Sequence, residues 1–294
     1  MTKTIFAVLF LWAGFSSAAE VSVKKIEVQG HRGTRGTRPE NTLAAFREAL
    51  RVGVDVLEMD MGVTKDGVIV VSHDSHIPPE LCLGPGGARM KAPAPLRSLT
   101  FSETQRYDCG SLKNPRFPGQ TPAPGSRIPA LDEVFKMVAA SGERAARVGF
   151  NIETKITPGE PELAPSPEEF ARLFVELVRK HGLTDRVVLQ SFDWRTLIAA
   201  KQLEPKLIVS QLVTGTLVDL AAVAKASKAE IISPEFSWID KATVDYLHKS
   251  GIRVAPWTLN TKAEWDKALD YGVDSIITDY PAELITYLKQ KSLR

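Results

Sequence analysis

Nine short runs of β-branched and other apolar residues, separated by stretches with helical spacing, constrain this chain more than any other feature. The runs are Ile26–Gly30, Val56–Met61, Val68–His73, Gly149–Thr154, Val187–Phe192, Leu207–Leu212, Ile231–Glu235, Val254–Leu259 and Ser275–Asp279. Strand–helix alternation of this kind builds a parallel sheet with crossover helices. The clearest helix is Glu168–His181, where Phe170, Leu173, Phe174, Leu177 and Val178 form one apolar stripe. Ser166 suits its N-cap, Pro167 its first position, Glu169 the capping-box partner and Gly182 its stop.

One run does not belong to the parallel set. Val68–His73 follows Val56–Met61 across the turn Lys65-Asp66-Gly67, whereas a parallel pair needs a crossover of roughly a dozen residues. It must return antiparallel, as a hairpin. Eight strands remain, which favours an α/β fold closed as a (β/α)8 TIM-type barrel over an open doubly wound sheet. The chain has 294 residues, and such barrels run to about 250 as one domain. Residues 75–127, rich in Pro and Gly, read as a small insertion after the hairpin that follows strand 2.

The first residues stand apart. Lys3, the apolar run Ile5–Phe15 and the small residues Ser17 and Ala19 read as a secretory signal peptide, residues 1–19, cleaved before Glu20. The run is too short to span a bilayer, which takes roughly 20 residues. A single barrel domain, 20–294, would then be exported, periplasmic or secreted, with no stable membrane anchor. In an oxidising compartment Cys82 and Cys109 are a candidate disulfide, and two unpaired buried thiols are the other reading. They lie far apart in sequence with no histidine pair at ligand spacing, which argues against zinc. A formal net charge of +2 argues against a nucleic-acid partner.

Polar residues recur at the strand ends. Glu58 and Asp60 are two apart on a strand and so share a face, leaving Leu57, Met59 and Met61 to face the helices. Glu153 and Lys155 repeat the spacing. His31 with Arg32 ends the first strand, His73 with Asp74 ends the hairpin, and Trp257 and Asp279 end the last two strands. A parallel barrel gathers all these ends at one mouth. Glu58, Asp60 and Glu153 crowded there call for a counter-charge, and all-oxygen ligation selects one divalent cation, Ca²⁺ or Mg²⁺. For any one carboxylate a salt bridge is the plainer reading. His31 and His73 are the candidate acid–base pair, while His76, His181 and His248 fall in structural contexts. Arg32 and Lys155 suit a phosphate. This set fits phosphoester cleavage better than a glycosidase, which would flank the bond with two carboxylates.

The motifs His31-Arg32-Gly33, Pro39-Glu40-Asn41-Thr42, Glu58-x-Asp60, Thr64-x-Asp66-Gly67 and His73-Asp74 resemble those of the glycerophosphodiester phosphodiesterase family. Asn151-Ile152-Glu153-x-Lys155, Ser191-Phe192, Trp257-Thr258, Gly272-Val273-Asp274 and Thr278-Asp279-Tyr280-Pro281 extend the resemblance over almost the whole chain in order. The resemblance implies hydrolysis of small-molecule glycerophosphodiesters to sn-glycerol 3-phosphate and an alcohol. It implies Glu58, Asp60 and Glu153 as metal ligands, His31 as base, His73 as acid, and Arg32 and Lys155 as phosphate binders. Glu40 would orient the loop or a neighbouring base. Trp257 would pack on glycerol or fill the core. The nucleophile is water or the glycerol 2-hydroxyl. The insertion, Leu81 to Gln120, leaves choline, ethanolamine, glycerol and inositol headgroups open. Two other readings are a phospholipase D-like lyase on lysolipids releasing cyclic phosphates, and a non-enzymatic phosphoester-binding protein.

Overall fold

The computed structural model describes residues 25–215 and 219–294, so the proposed leader, residues 1–19, lies outside the described residues. The chain begins with β1 (Glu27–Gly30), α1 (Leu43–Val52), β2 (Val56–Val63) and β3 (Ile69–Val71). A segment with β4 (His76–Ile77), β5 (Ala94–Pro95) and α2 (Phe101–Thr104) follows, then α3 (Leu131–Ala139). Strand–helix units complete the fold: β6 (Gly149–Thr154), α4 (Pro167–Lys180), β7 (Val187–Ser191), α5 (Trp194–Leu203), β8 (Ile208–Val213) and α6 (Leu220–Ser227). The last are β9 (Ile231–Pro234), α7 (Lys241–Lys249), β10 (Arg253–Val254), α8 (Lys262–Tyr271), β11 (Ser275–Thr278) and α9 (Pro281–Gln290).

Eight parallel strands run in the order β10-β9-β8-β7-β6-β2-β1-β11, and β3 lies antiparallel on β2 as the short turn requires. The pairing of β1 with β11 brings the two ends of the chain together, Glu27 opposite Ser275 and Gly30 opposite Thr278. Across the remaining gap the N–H groups of Asp274 and Ile277 donate to the carbonyls of Val254 and Pro256, at 3.0 and 3.1 Å. The result is a TIM-type barrel. Leu57, Met59 and Met61 are fully buried in the apolar shell beneath the helices, each contributing roughly 1.5–3 kcal/mol by its removal from water.

Two local expectations need correction. Of the run Val254–Leu259 only Val254 lies in a strand, β10. The Ala255 and Trp257 N–H groups still donate to the β9 carbonyls of Ile232 and Pro234, both at 3.0 Å. Pro234, however, has no N–H to return to Ala255, and Trp257 joins Glu235 through an isolated bridge. At the start of α4 the Ser166 hydroxyl accepts from the Glu169 N–H at 3.2 Å, but no return bond from the Glu169 side chain forms. The cap is therefore half a capping box. Phe170, Phe174 and Val178 are buried as the stripe requires, and Leu173 and Leu177 pack against the same core.

The Pro/Gly-rich segment packs a small core against β3, in which Ile77, Cys82 and Leu96 meet Val70 and Ile128. In it Cys82 and Cys109 are joined by a disulfide. Its far end reaches back to the barrel mouth. Gln120 donates to the carbonyls of Arg35 and Arg38, and the Thr121 N–H to that of Thr37.

Candidate active site

The register of β2 against β6 sets Asp60 directly opposite Glu153, with Glu58 one pleat below on the same face. One oxygen from each of Glu58, Asp60 and Glu153 lies within 4.8 Å of the others, and all three residues are buried. Burial and the charge of Asp60 push the Glu58 carboxyl well above the carboxylate range. Burial also raises Glu153, to about 7, against the pull of Lys155. Asp60 goes the other way: burial would raise it, but Lys155 and Arg32 hold it well below its ordinary value. Three close oxygen donors, two of them reluctant to ionise, fit a hard divalent cation.

Lys155, Asn41 and Arg32 are among the donors to this cluster. Lys155 Nζ lies 3.0 Å from Asp60 Oδ1 and 2.6 Å from Glu153 Oε1. Asn41 Nδ2 donates to Asp60 Oδ2 at 2.9 Å. The Arg32 N–H donates to Glu58 Oε2 at 2.8 Å, while its Nε sits 3.2 Å from Asp60 Oδ2 without the alignment of a hydrogen bond. A tight turn makes this possible. Arg32 and Gly33 have φ of 49° and 86°, and a Cβ on Gly33 would stand 2.8 Å from the Ala45 carbonyl carbon. Only glycine fits there.

His31 leaves the end of β1 and meets the end of β11. Its Nδ1 lies 2.6 Å from Asp279 Oδ1, and its Nε2 is 4.0 Å from Glu58 Oε2. Asp279 also accepts two bonds from Arg35, at 2.8 and 2.9 Å, and one from Asn260 Nδ2 at 2.8 Å. Burial works to raise its carboxyl, yet His31 and Arg35 hold it well below the usual range. For His31 burial prevails over Asp279 and lowers the imidazole to about 4. His73 is the more open histidine, its side chain 35% exposed, with Nδ1 2.8 Å from Asp74 Oδ1. A cavity of about 490 Å³ is lined by His73, Glu153, Lys155 and Phe192.

Beyond Arg32 the contacts continue into the inserted segment. Arg32 Nη1 donates to Glu40 Oε1 at 2.5 Å, and Asn114 Nδ2 to Glu40 Oε2 at 3.0 Å. Phe117 lies under the Arg35 guanidinium, 4.9 Å from its ring centre.

The family model for the glycerophosphoryl diester phosphodiesterase family matches residues 31–283. The chain belongs to that family. A glycerophosphodiester phosphodiesterase of Caldanaerobacter subterraneus subsp. tengcongensis is 30% identical over 266 residues, spanning 90% of this chain and 99% of the relative. A solved structure from Silicibacter pomeroyi with the same family designation superposes with a TM-score of 0.85 at 29% identity, covering 92% of this chain and 95% of that one. An Oleispira antarctica phosphodiesterase solved with the product sn-glycerol 3-phosphate shares the fold at 23% identity, with a TM-score of 0.75 and coverage of 90% and 97%.

Within this family barrel the structure brings together His31, Arg32, Glu58, Asp60, Glu153 and Lys155 as one cluster, with His73 at its rim. Trp257 donates its indole N–H to the Ser233 carbonyl at 2.9 Å, and its ring lies 5.9 Å from that of Phe192, which lines the same cavity as Glu153 and Lys155. His181 and His248 pair with Asp132 and Asp274, away from the cluster. Asp279, Arg35, Asn41, Asn114 and Asn260 carry contacts that no role was assigned to from sequence. Asp279 and Asn41 lie inside the motifs Thr278-Asp279-Tyr280-Pro281 and Pro39-Glu40-Asn41-Thr42, so the sequence carries a signal for them. For Asn114, Arg35 and Asn260 there was none. Among the described residues no helix is long and apolar enough to cross a membrane.

Proposed function

We propose that the protein hydrolyses glycerophosphodiesters to sn-glycerol 3-phosphate and an alcohol, with a divalent cation held by Glu58, Asp60 and Glu153. The observation that carries this reading is the buried cluster of three carboxylate oxygens within 4.8 Å, beside a histidine whose partner leaves one nitrogen open. The bound cation, Ca²⁺ or Mg²⁺, supplies Lewis-acid polarisation of the phosphoryl oxygens. Arg32 offers a planar fork to the phosphate and Lys155 a point charge. His31 keeps Nδ1 on Asp279, so its Nε2 takes the proton from the attacking hydroxyl, either of water or of the glycerol 2-carbon, the latter giving a cyclic phosphate that a water must then open to sn-glycerol 3-phosphate. His73 keeps Nδ1 on Asp74, so its Nε2 returns a proton to the departing alkoxide. Export to the periplasm or beyond completes the proposal, resting on the sequence of residues 1–19.

The test is glycerophosphocholine turnover followed by phosphorus NMR. Conversion to sn-glycerol 3-phosphate is expected. A cyclic phosphate as the end product, with preference for acyl-bearing substrates, would support the lyase reading instead. Tight binding with no turnover would support a binding protein.

A further inference from the structure

A chain of buried side-chain amides crosses the barrel interior from its opposite end to the carboxylate cluster. Asn151 on β6 is its centre. Asn151 Nδ2 donates to Gln29 Oε1 at 2.8 Å and to Gln190 Oε1 at 3.0 Å. Gln190 Nε2 donates in turn to Glu58 Oε1 at 2.7 Å. On the other branch Gln29 Nε2 donates to Ser275 Oγ at 2.9 Å and to Glu27 Oε1 at 3.0 Å. Gln29, Asn151, Gln190 and Glu58 are all at least nine-tenths buried.

The chain has a direction, and Asn151 sets it. A primary amide has two hydrogens on nitrogen, and Asn151 gives both to glutamine carbonyls. Each glutamine must then turn its own amino group away, one toward Glu58 and one toward Glu27. Among the described residues Asn151 Oδ1 accepts no hydrogen bond, so toward the protein the residue acts as a donor. Glu58 is consequently gripped at both oxygens, Oε1 by Gln190 and Oε2 by the Arg32 N–H. We propose that Asn151 is a positioning residue: through Gln190 it fixes the orientation in which Glu58 faces the cation, without touching cation or substrate itself. The inference rests on the cation reading given above and adds the upper branch of this network to it. The lower branch, through Gln29, has no path to Glu58 except through Asn151.

Asn151→Asp keeps the shape and removes the donor. Gln190 would then face an acceptor, reverse, and set its carbonyl against Glu58. Groups that orient a metal ligand typically change affinity about 10–100-fold when lost. Calorimetric titration of the full protein with calcium chloride or magnesium chloride is therefore expected to show Asn151→Asp and Gln190→Met weakened by that factor. Gln29→Met, which cuts only the lower branch, should bind as wild type does. Raising the cation concentration should restore kcat in Asn151→Asp, which it would not do for a general packing defect. Gln190→Met carries the test if the added buried carboxylate prevents folding. Wild-type affinity in both upper-branch variants, or an equal loss in Gln29→Met, overturns the proposal. A wild-type protein that binds neither cation overturns the cation reading itself.

Discussion

His31 Nδ1 and Asp279 Oδ1 lie 2.6 Å apart although 248 residues separate them in the chain. Closure of the barrel makes the contact, because β1 and β11 pair in register and each residue follows its strand. Asp279 fixes which imidazole nitrogen faces the site, as a carboxylate behind a base does. Arg35 and Asn260 hold Asp279 in turn. Asp279→Asn is expected to lower kcat by at least about 10²-fold, the lower range for an acid–base group, with a smaller change in KM. Steady-state kinetics on glycerophosphocholine checks this. Near-wild-type kcat would mean that His31 does not depend on Asp279.

The same pair governs part of the pH dependence of stability. Folded His31 resists protonation down to about 4, against an ordinary value of 6.5. Across that window the unfolded chain binds the extra proton, so this residue makes stability fall as pH falls. Glu153 acts oppositely, since its raised carboxyl takes a proton near 7 in the fold and near 4.5 outside it. The informative quantity is the difference between wild type and His31→Asn. In urea titrations the advantage of wild type should shrink by on the order of 3 kcal/mol between pH 7 and 4. A difference that does not vary with pH would contradict the burial of a neutral His31.

Asn114 ties the inserted segment to Arg32 through Glu40. Removing it would free one oxygen of Glu40 and loosen the guanidinium proposed to bind the phosphate. Asn114→Ala should raise KM several-fold, up to about 10-fold, as for a hydrogen bond to a charged group. The change in kcat should be smaller. An unchanged KM would separate the inserted segment from phosphate recognition.

The strand ends were legible because periodicity and turn residues are local. Eight parallel strands and one returning hairpin follow from runs such as Val56–Met61 and the Lys65-Asp66-Gly67 turn. The carboxylate cluster was legible too, since Glu58 and Asp60 must share a face and Glu153 ends a neighbouring strand. Pairings across the barrel were not. That Asp279 serves His31, or that Gln190 serves Glu58, depends on closure between residues far apart in the chain. Lys155 shows the other limit: its place at a strand end was readable, but its bonds to Asp60 and Glu153 depend on side-chain direction. The short β10 shows a third: Pro234 on the neighbouring strand cannot return a bond to Ala255, and the composition of the Val254–Leu259 run does not carry that.

The most direct test of the proposed chemistry is the rate of sn-glycerol 3-phosphate release from glycerophosphocholine after exhaustive chelation and again on titration with Ca²⁺ or Mg²⁺. Glu58, Asp60 and Glu153 form the one group of this kind among the described residues. Activity should vanish on chelation and return with one of the two ions, and Asp60→Asn should abolish the return. Undiminished turnover in the chelated protein would contradict the role assigned to the three carboxylates.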